Sequence, residues 1–191
     1  MKKDKTILKW EIAGALVLIL GGTLLHFTYA WSDYSPIVGL FSAVNESVWE
    51  HLKLAFAPFL LFSVVEYWFI RKTAKNVLLA KGIGILALQL FIVAFFYTYT
   101  AFTGTDILWV DIVSYFLACI VGQFVSYKLI TAKAVSSLFG VVGFVIIVVH
   151  AGLLFYFTFF PPQYSIFEEE SSGRYGTTWD YHPEESDDHD H

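Results

Sequence analysis

Charged side chains are scarce in this sequence. Asp, Glu, Lys and Arg make up 15% of its 191 residues, against about 25% in an ordinary soluble domain. It has a single cysteine, Cys119, so an intrachain disulfide is excluded. The basic residues stand in short clusters between apolar stretches and form no basic face of the kind that binds nucleic acid. The scarcity of charge therefore points away from a soluble domain and from a nucleic-acid partner.

Apolar residues take the place of the missing charge. The sequence is 57% hydrophobic and its mean hydropathy is +0.60. Five stretches are long enough to cross a bilayer core, which needs about 20 helical residues; they cover residues 12–31, 51–70, 78–102, 107–127 and 138–160. Backbone groups in lipid must be paired within the chain, so these stretches should be helices. We therefore expect an all-α integral membrane protein in which residues 1–160 form a bundle of five transmembrane helices.

The positive charges predict how the bundle is oriented. Of the twelve Lys and Arg residues, ten lie before the first span or in the second and fourth connections: Lys2, Lys3, Lys5, Lys9, Arg71, Lys72, Lys75, Lys81, Lys128 and Lys133. Cytoplasmic loops are enriched in Lys and Arg. This pattern predicts a cytoplasmic N-terminus, an external C-terminus and residence in the plasma membrane.

The two ends of the chain carry further expectations. Lysines, an apolar run and "TYA" before Trp31 also fit a cleaved signal peptide, although the apolar run is longer than a typical signal core. Residues 161–191 form an acidic tail that opens with two prolines, and its last ten residues should be disordered. The tail histidines could bind a divalent metal loosely, although a merely solubilising tail is the simpler interpretation: they are His182, His189 and His191.

The segment "NESVWEH", residues 45–51, is the most polar stretch near a predicted span. Asn45 fits a helix N-cap, and Ser47 with Glu50 fits a capping box, so the second long helix should begin here. On a helix, Glu46, Glu50 and Lys53 would share one face, where the lysine would neutralise the second carboxylate. The preceding "PIVGLFSAV" is too short to cross and is expected to be re-entrant or interfacial.

Several ionisable side chains from distant parts of the chain are expected at one level beneath the outer surface. Ionisable groups within a bilayer are costly and usually functional. His26 lies about 7 Å from the outer end of the first helix and Asp111 one turn into the fourth, while His150 is nearer the midplane. The candidate polar pocket, with possible metal ligands, consists of His26, Glu46, Glu50, His51, Asp111 and His150.

Each candidate also has a structural explanation. The two interfacial histidines could be neutral and bonded to backbone carbonyls, and Asp111 could cap a helix. For His150, a hydrogen bond to Gln89 or Tyr115 is the simplest account. A polar stripe such as the one on the fourth helix more often joins helices than conducts anything.

Two expectations concern the second long helix. Pro58 should kink it and leave the carbonyl of Leu54 without its helical partner. Glu66 lies near the inner end and should form a surface pair with Arg71 or Lys72.

The block "VNESVWEHLKL", together with "PPQYSIFEEESSGRYG" after the last span, gives the sequence a resemblance to a known family. It resembles small bacterial multi-pass membrane proteins described only as a domain of unknown function. The resemblance covers nearly the whole chain except the terminal "HPEESDDHDH". It implies several membrane helices and no established activity, so no functional residue is carried over from it.

Three functions are compatible with these observations. The first is a membrane protein whose polar, outward-facing pocket binds a cation or a small polar solute. The second is a metal-dependent hydrolase acting on lipid, in which zinc has histidine and aspartate ligands and Glu50 is the general base. The third is a structural or accessory subunit with a membrane protein partner.

Overall fold

The computed structural model describes residues 2–169 and 171–177, and this part of the chain is almost entirely helical. Its helices are α1 (Lys2–Trp31), α2 (Pro36–Gly39), α3 (Val48–Ile70), α4 (Val77–Thr103), α5 (Leu108–Thr131) and α6 (Ser137–Phe159). A 3-10 turn, Ser165–Phe167, leads into a small antiparallel hairpin of β1 (Glu168–Glu169) and β2 (Arg174–Tyr175). The expected disorder of the last ten residues, and the three tail histidines, lie outside the described residues.

Five of these helices, α1 and α3 to α6, are long and apolar enough to cross a membrane. The prediction of an all-helical chain with five such helices is confirmed, and a multi-pass membrane protein is indicated. Several helices extend beyond the apolar stretches: α1 begins at Lys2 instead of near residue 12, and α3 at Val48 instead of residue 51. The added residues are mostly polar, and long polar side chains can continue a helix past the hydrocarbon core.

Successive long helices run in opposite directions, so the connections fall into two sets. We call one set the basic end: it comprises the start of α1 and the α3–α4 and α5–α6 connections. We call the other set the loop end: it comprises residues 32–47, the α4–α5 connection and residues 160–177. The short helix α2 belongs to the loop end and, at four residues, is too short to cross a membrane.

The bundle is held together by direct packing between neighbouring long helices. Helix α1 packs against α3 and α5, and α4 packs against α5 and α6. The central core is apolar and includes Leu18, Phe56, Phe59, Leu88 and Leu154. Backbone groups of α4 and α6 approach closely at Gly82 and Gly143, where any side chain would meet backbone atoms of the other helix. Such approaches are typical of helices packed in lipid.

A hydrogen-bonded contact joins three of the long helices, α1, α3 and α5. The Tyr115 hydroxyl donates to the backbone carbonyls of Leu18, at 2.9 Å, and Leu54, at 3.3 Å. Pro58, within α3, cannot donate to the Leu54 carbonyl, so Tyr115 uses the group that the proline leaves free. Gly22 allows this approach, because a Cβ there would overlap the Tyr115 hydroxyl and lie 2.7 Å from the Leu54 oxygen.

Candidate metal centre

The loop between α1 and α3 folds back over the end of α1. The Ser42 hydroxyl donates to the Leu25 carbonyl, and the Tyr29 backbone N–H donates to the Ser42 hydroxyl oxygen at 3.1 Å. The last turns of α1 consequently hold the loop in place. Residues 43–47 then pass close to the face of α1 that carries His26.

A buried ion pair fixes the same loop from the α3 side. Lys53 and Glu50 are 2.5 Å apart, and their side chains are 1% and 2% exposed. Glu50 Oε2 accepts from the Val44 backbone N–H at 3.0 Å, while Lys53 Nζ donates to the Gly39 carbonyl at 2.6 Å and to Thr158 Oγ1 at 2.9 Å. The pair therefore joins α3, the loop and α6. Glu50 is committed to this structural role and does not belong to the candidate pocket, contrary to its expected place there.

The start of α3 differs from the sequence expectation in two respects. Ser47 is the N-cap, and its hydroxyl accepts from the Glu50 N–H at 3.4 Å. The reciprocal half of a capping box is not formed, because the Glu50 carboxylate is bonded to Val44 instead. Glu46 consequently lies before the helix and does not share a face with Glu50 and Lys53. That position turns the Glu46 carboxylate towards α1.

Three of the predicted residues meet at one point of the loop end. Glu46 Oε1 lies 3.7 Å from His26 Nε2, and Glu46 Oε2 lies 3.4 Å from His51 Nε2. The two imidazole rings have centroids 5.4 Å apart. One ligand atom from each residue can be chosen so that all three lie within 4.8 Å of one another. The histidine side chains are about one third exposed, 30% for His26 and 35% for His51, so solvent reaches the cluster.

A second hydrogen bond orients the His51 ring. Its Nδ1 lies 2.8 Å from the Ser47 carbonyl oxygen, which can only accept. Nδ1 therefore carries the hydrogen, and in the neutral ring the lone pair is on Nε2, which faces Glu46. Two acceptor atoms 3.4 Å apart repel each other unless a cation lies between them or Nε2 is protonated. Metal-bound histidines commonly donate their other N–H to a carbonyl in this way.

The electrostatics of Glu46 are consistent with a cationic neighbour. The hydrogen bond that protonated His51 donates lowers the pKa of Glu46 below its ordinary value, and the charges of His51 and His26 act in the same direction. Partial burial opposes this shift without reversing it. The carboxylate is thus ionised in the range where metal ions bind to protein ligands.

The donor types, two imidazoles and one carboxylate, are those that zinc takes in proteins. Tetrahedral zinc with bonds of about 2.0–2.1 Å places its ligand atoms about 3.3 Å apart. The 3.4 Å from Glu46 Oε2 to His51 and the 3.7 Å from Oε1 to His26 are close to that value, and one ligand atom from each of the three residues lies within 4.8 Å of the others, so a bound metal would draw the three side chains closer together. Two histidines and one carboxylate would leave a fourth coordination position open, as in sites that bind an exchangeable water or a substrate.

The segment after α6 covers this part of the loop end. Phe167 is buried against Trp49 and Phe157, with ring centroids 4.7 and 5.3 Å away. The Glu46 backbone N–H donates to Glu169 Oε1 at 3.3 Å. Asn45 Nδ2 donates to the Gly176 carbonyl at 3.0 Å. Residues that begin the tail thus help to hold the loop that carries Glu46.

The sequence matches the family of unknown function DUF6512 over residues 1–177. The chain belongs to that family. The resemblance expected from the "VNESVWEHLKL" block is therefore confirmed as far as a family of unknown function is concerned. The matched region ends before "HPEESDDHDH", and it includes every residue of the candidate metal centre. No match was found among curated proteins or among solved structures.

Two other predicted members of the pocket are held elsewhere in this DUF6512 chain. Asp111 accepts a hydrogen bond of 2.6 Å from the Tyr99 hydroxyl and is absent from the three-residue group. The same hydroxyl accepts from the Ile107 backbone N–H at 3.1 Å, so the two residues close the α4–α5 connection. The expectation that Asp111 joins the histidines is wrong, because the tyrosine on the neighbouring helix is the nearer partner.

His150 is also separate from the cluster. Its ring stacks on Phe56 with centroids 5.3 Å apart, and its buried Nε2 has no hydrogen-bond partner among the described residues. The expected bonds to Gln89 or Tyr115 are not formed, because Gln89 donates to the Leu52 carbonyl and the tyrosine donates to backbone carbonyls of α1 and α3.

Sequence reasoning missed a charged cluster at the basic end. Glu66 is fully buried and lies 2.6 Å from Lys81, which also contacts Glu11. The expected surface pair of Glu66 with Arg71 or Lys72 is wrong, and so is the assignment of Lys81 to a connection, since it lies within α4. The missed signal is the position of Glu11: apolar residues on both sides of it show that the helix, and its buried part, begin before residue 12.

Proposed function

We propose that this protein binds a divalent transition-metal ion, with zinc as the best fit, through His26, Glu46 and His51. The observation that carries this proposal is the convergence of the three side chains, with Nε2 of His51 directed at the carboxylate because Nδ1 is bonded to Ser47. These residues come from α1, the loop and α3, so a bound metal would join three separate parts of the chain.

The proposal includes an orientation. We place the basic end in the cytoplasm of a bacterial cell and the loop end outside its plasma membrane, because the lysines and arginines cluster at the former. The metal centre would then face the exterior, and residues 161–191 would form an external tail whose carboxylates attract cations. A fusion reporter placed after residue 191 checks this arrangement, and activity of a reporter that works only in the cytoplasm would contradict it.

Binding is better supported than hydrolysis among the described residues. The general base expected for a hydrolase, Glu50, is occupied by Lys53 and by the Val44 N–H. One feature favours the second candidate, a lipid-directed enzyme. An apolar groove lies beside His26, whose ring centroid is 5.2 Å from that of Phe27 in the groove lining. The groove could accommodate an acyl chain; its lining residues are Ile19, Leu20, Thr23, Leu24, Phe27, Trp31 and Phe116.

Metal analysis of the full chain in lipid nanodiscs tests the proposal. The tail histidines are first replaced (His182→Gln, His189→Gln, His191→Gln) so that they cannot bind metal, and a purification tag without histidine is used. We expect one zinc per chain, and an affinity that falls by at least about 100-fold in His51→Ala, because loss of even an outer-shell partner costs 10- to 100-fold.

The matched control is His150→Ala, which removes a histidine that is not in the cluster. It should bind zinc like the parent protein. Equal zinc content in the parent, His51→Ala and His26→Ala would contradict the metal centre and favour the structural or accessory role.

A further inference from the structure

Three charged side chains meet near the basic end, and two of them lie about one helical turn from the ends of their helices. Lys81 Nζ lies 3.0 and 3.1 Å from the two carboxylate oxygens of Glu11 and 2.6 Å from Glu66 Oε2. Glu66 precedes the end of α3 by four residues and Lys81 follows the start of α4 by four, a depth of about 6 Å along each helix. We call these three residues the basic-end triad.

The triad is sealed from solvent and its charges do not balance. Glu11, Glu66 and Lys81 are 2%, 0% and 2% exposed. With all three ionised, the site has two negative charges and one positive charge. An uncompensated charge at such a position costs several kcal/mol, and closely spaced carboxylates of this kind tend not to be ionised together.

The hydrogen bonds identify where a further proton is missing. Lys81 directs its ammonium group at both oxygens of Glu11 and at Glu66 Oε2, and Ser126 donates to Glu11 Oε1 at 2.7 Å. Both oxygens of Glu66 are buried without a hydrogen-bond partner among the described residues, and Oε2 has only its ion contact with Lys81. The hydrogen bonds of Lys81 and Ser126 therefore go to Glu11, and the buried carboxylate of Glu66 still lacks a hydrogen.

Among the side chains that the structure describes, the surrounding helices supply no second positive charge. Helix α1 contributes Glu11, α3 contributes Glu66 and α4 contributes Lys81, while α5 faces the triad with the Ser126 hydroxyl. Gln123 lies one turn before Ser126 on α5, and its buried Oε1 also has no hydrogen-bond partner among the described residues. Helix α6 reaches α4 at this level through Gly143, against Gly82.

The pair at the loop end provides an internal comparison. Glu50 and Lys53 are equally buried, but they are one carboxylate and one ammonium, and their charges cancel. Every oxygen or nitrogen of a one-to-one pair can be satisfied without an added proton. The difference between the two sites is thus the single extra carboxylate of the triad.

We propose that the basic-end triad is a proton-binding site, in which Glu11 and Glu66 share one exchangeable proton beside Lys81. The proton makes the site neutral and gives Glu66 Oε1 the hydrogen that it lacks. Binding is a simple protonation: a carboxylate oxygen gains the proton at neutral pH and releases it to water when the pH rises. The proposal does not depend on the metal centre.

Infrared spectroscopy of the full chain in lipid, with a chelator present, tests this site. A protonated carboxyl group has a C=O stretching band that a carboxylate lacks. In protein grown with 13C-labelled glutamate, we expect one such band per chain at neutral pH, shifted by the label and lost as the pH is raised. Glu66→Gln and Glu11→Gln should each abolish it, because each leaves one carboxylate opposite one ammonium.

The control is the double substitution Glu50→Gln with Lys53→Met, which removes the balanced pair and should leave the band unchanged. Absence of a labelled band from the wild-type protein at neutral pH would overturn the proposal, and so would its persistence in both single variants. Helix content and elution volume establish that each variant is folded. If the single variants do not fold, the labelled wild-type protein and the double variant still decide the matter.

Discussion

The two ends of the bundle differ in how far their ionisable side chains are exposed to solvent. At the basic end, Glu11, Glu66 and Lys81 are sealed between helices and at most 2% exposed. At the loop end, His26 and His51 are about one third exposed, and Glu46 lies on a loop before α3. The first arrangement is closed to solvent, whereas the second presents lone pairs to it. The comparison indicates that proton binding suits one end and metal binding the other.

The largest expected effect is that of removing the only positive charge of the basic-end triad. Lys81→Met would leave the one negative charge of the proton-sharing carboxyl groups without a counter-charge, which we expect to lower the free energy of unfolding by about 3–5 kcal/mol. Chemical unfolding in lipid or mild detergent measures this. Adding Glu11→Gln and Glu66→Gln should restore most of the stability, since the cost arises from charge. Failure of this rescue would show that packing, and not charge, sets the effect.

An intermediate effect is expected from a substitution in α1 between the two ends of the bundle. Gly22→Ala would place a Cβ against the Tyr115 hydroxyl and 2.7 Å from the Leu54 carbonyl oxygen. We expect it to lower the free energy of unfolding by about 1–3 kcal/mol through overpacking, and to weaken metal binding, since Gly22 lies one turn before His26. The matched control is Gly152→Ala, where a Cβ meets nothing within 4 Å. Equal stability of the two variants would contradict the close approach of α1 and α3.

The smallest effect concerns the exposed member of the metal centre. Glu46 is 61% exposed, so solvent screens its interaction with the histidines, and we expect Glu46→Gln to lower the unfolding free energy of the metal-free protein by less than about 1 kcal/mol. The pKa of Glu46 is lowered by folding. Its stabilising contribution is therefore present above the ordinary glutamate pKa and is lost as the pH falls through the lowered, folded-state value.

Unfolding curves of the wild type and Glu46→Gln, measured with a chelator at neutral and acidic pH, check this. The difference between the two proteins should shrink in acid. A difference that persists below the folded-state pKa of Glu46 would show that the effect of the substitution does not come from the ionised carboxylate.

The fold followed closely from composition, whereas the site did so only in part. Five apolar stretches of sufficient length predict five helices, because backbone groups in lipid have no other way to be paired. The layer of polar residues near "NESVWEH" was predicted with six members, of which His26, Glu46 and His51 come together. Asp111 and Glu50 fail for one reason: each has a nearer partner, Tyr99 or Lys53, that helical spacing alone does not rank above the histidines.

The basic-end triad shows the same limit of prediction from sequence. Glu66 stands close to Arg71 and Lys72 in sequence, so a surface pair was expected, yet its partner Lys81 lies on the next helix. Rotation of α3 about its axis decides between these partners. That rotation depends on how all the helices pack, which no local pattern contains.

The sequence by itself determined that this chain is a multi-pass helical protein and that its polar groups concentrate near the helix ends, because lipid excludes unpaired backbone and isolated charge. Only the tertiary structure decided which of those groups meet. It placed Glu46 before α3, next to His26 and His51. It also buried the carboxyl groups of Glu11 and Glu66 beside Lys81. The physical reason is that the hydropathy of a segment depends only on its own residues. An ion pair or a metal site depends on distances between side chains of different segments, and helix packing sets those distances.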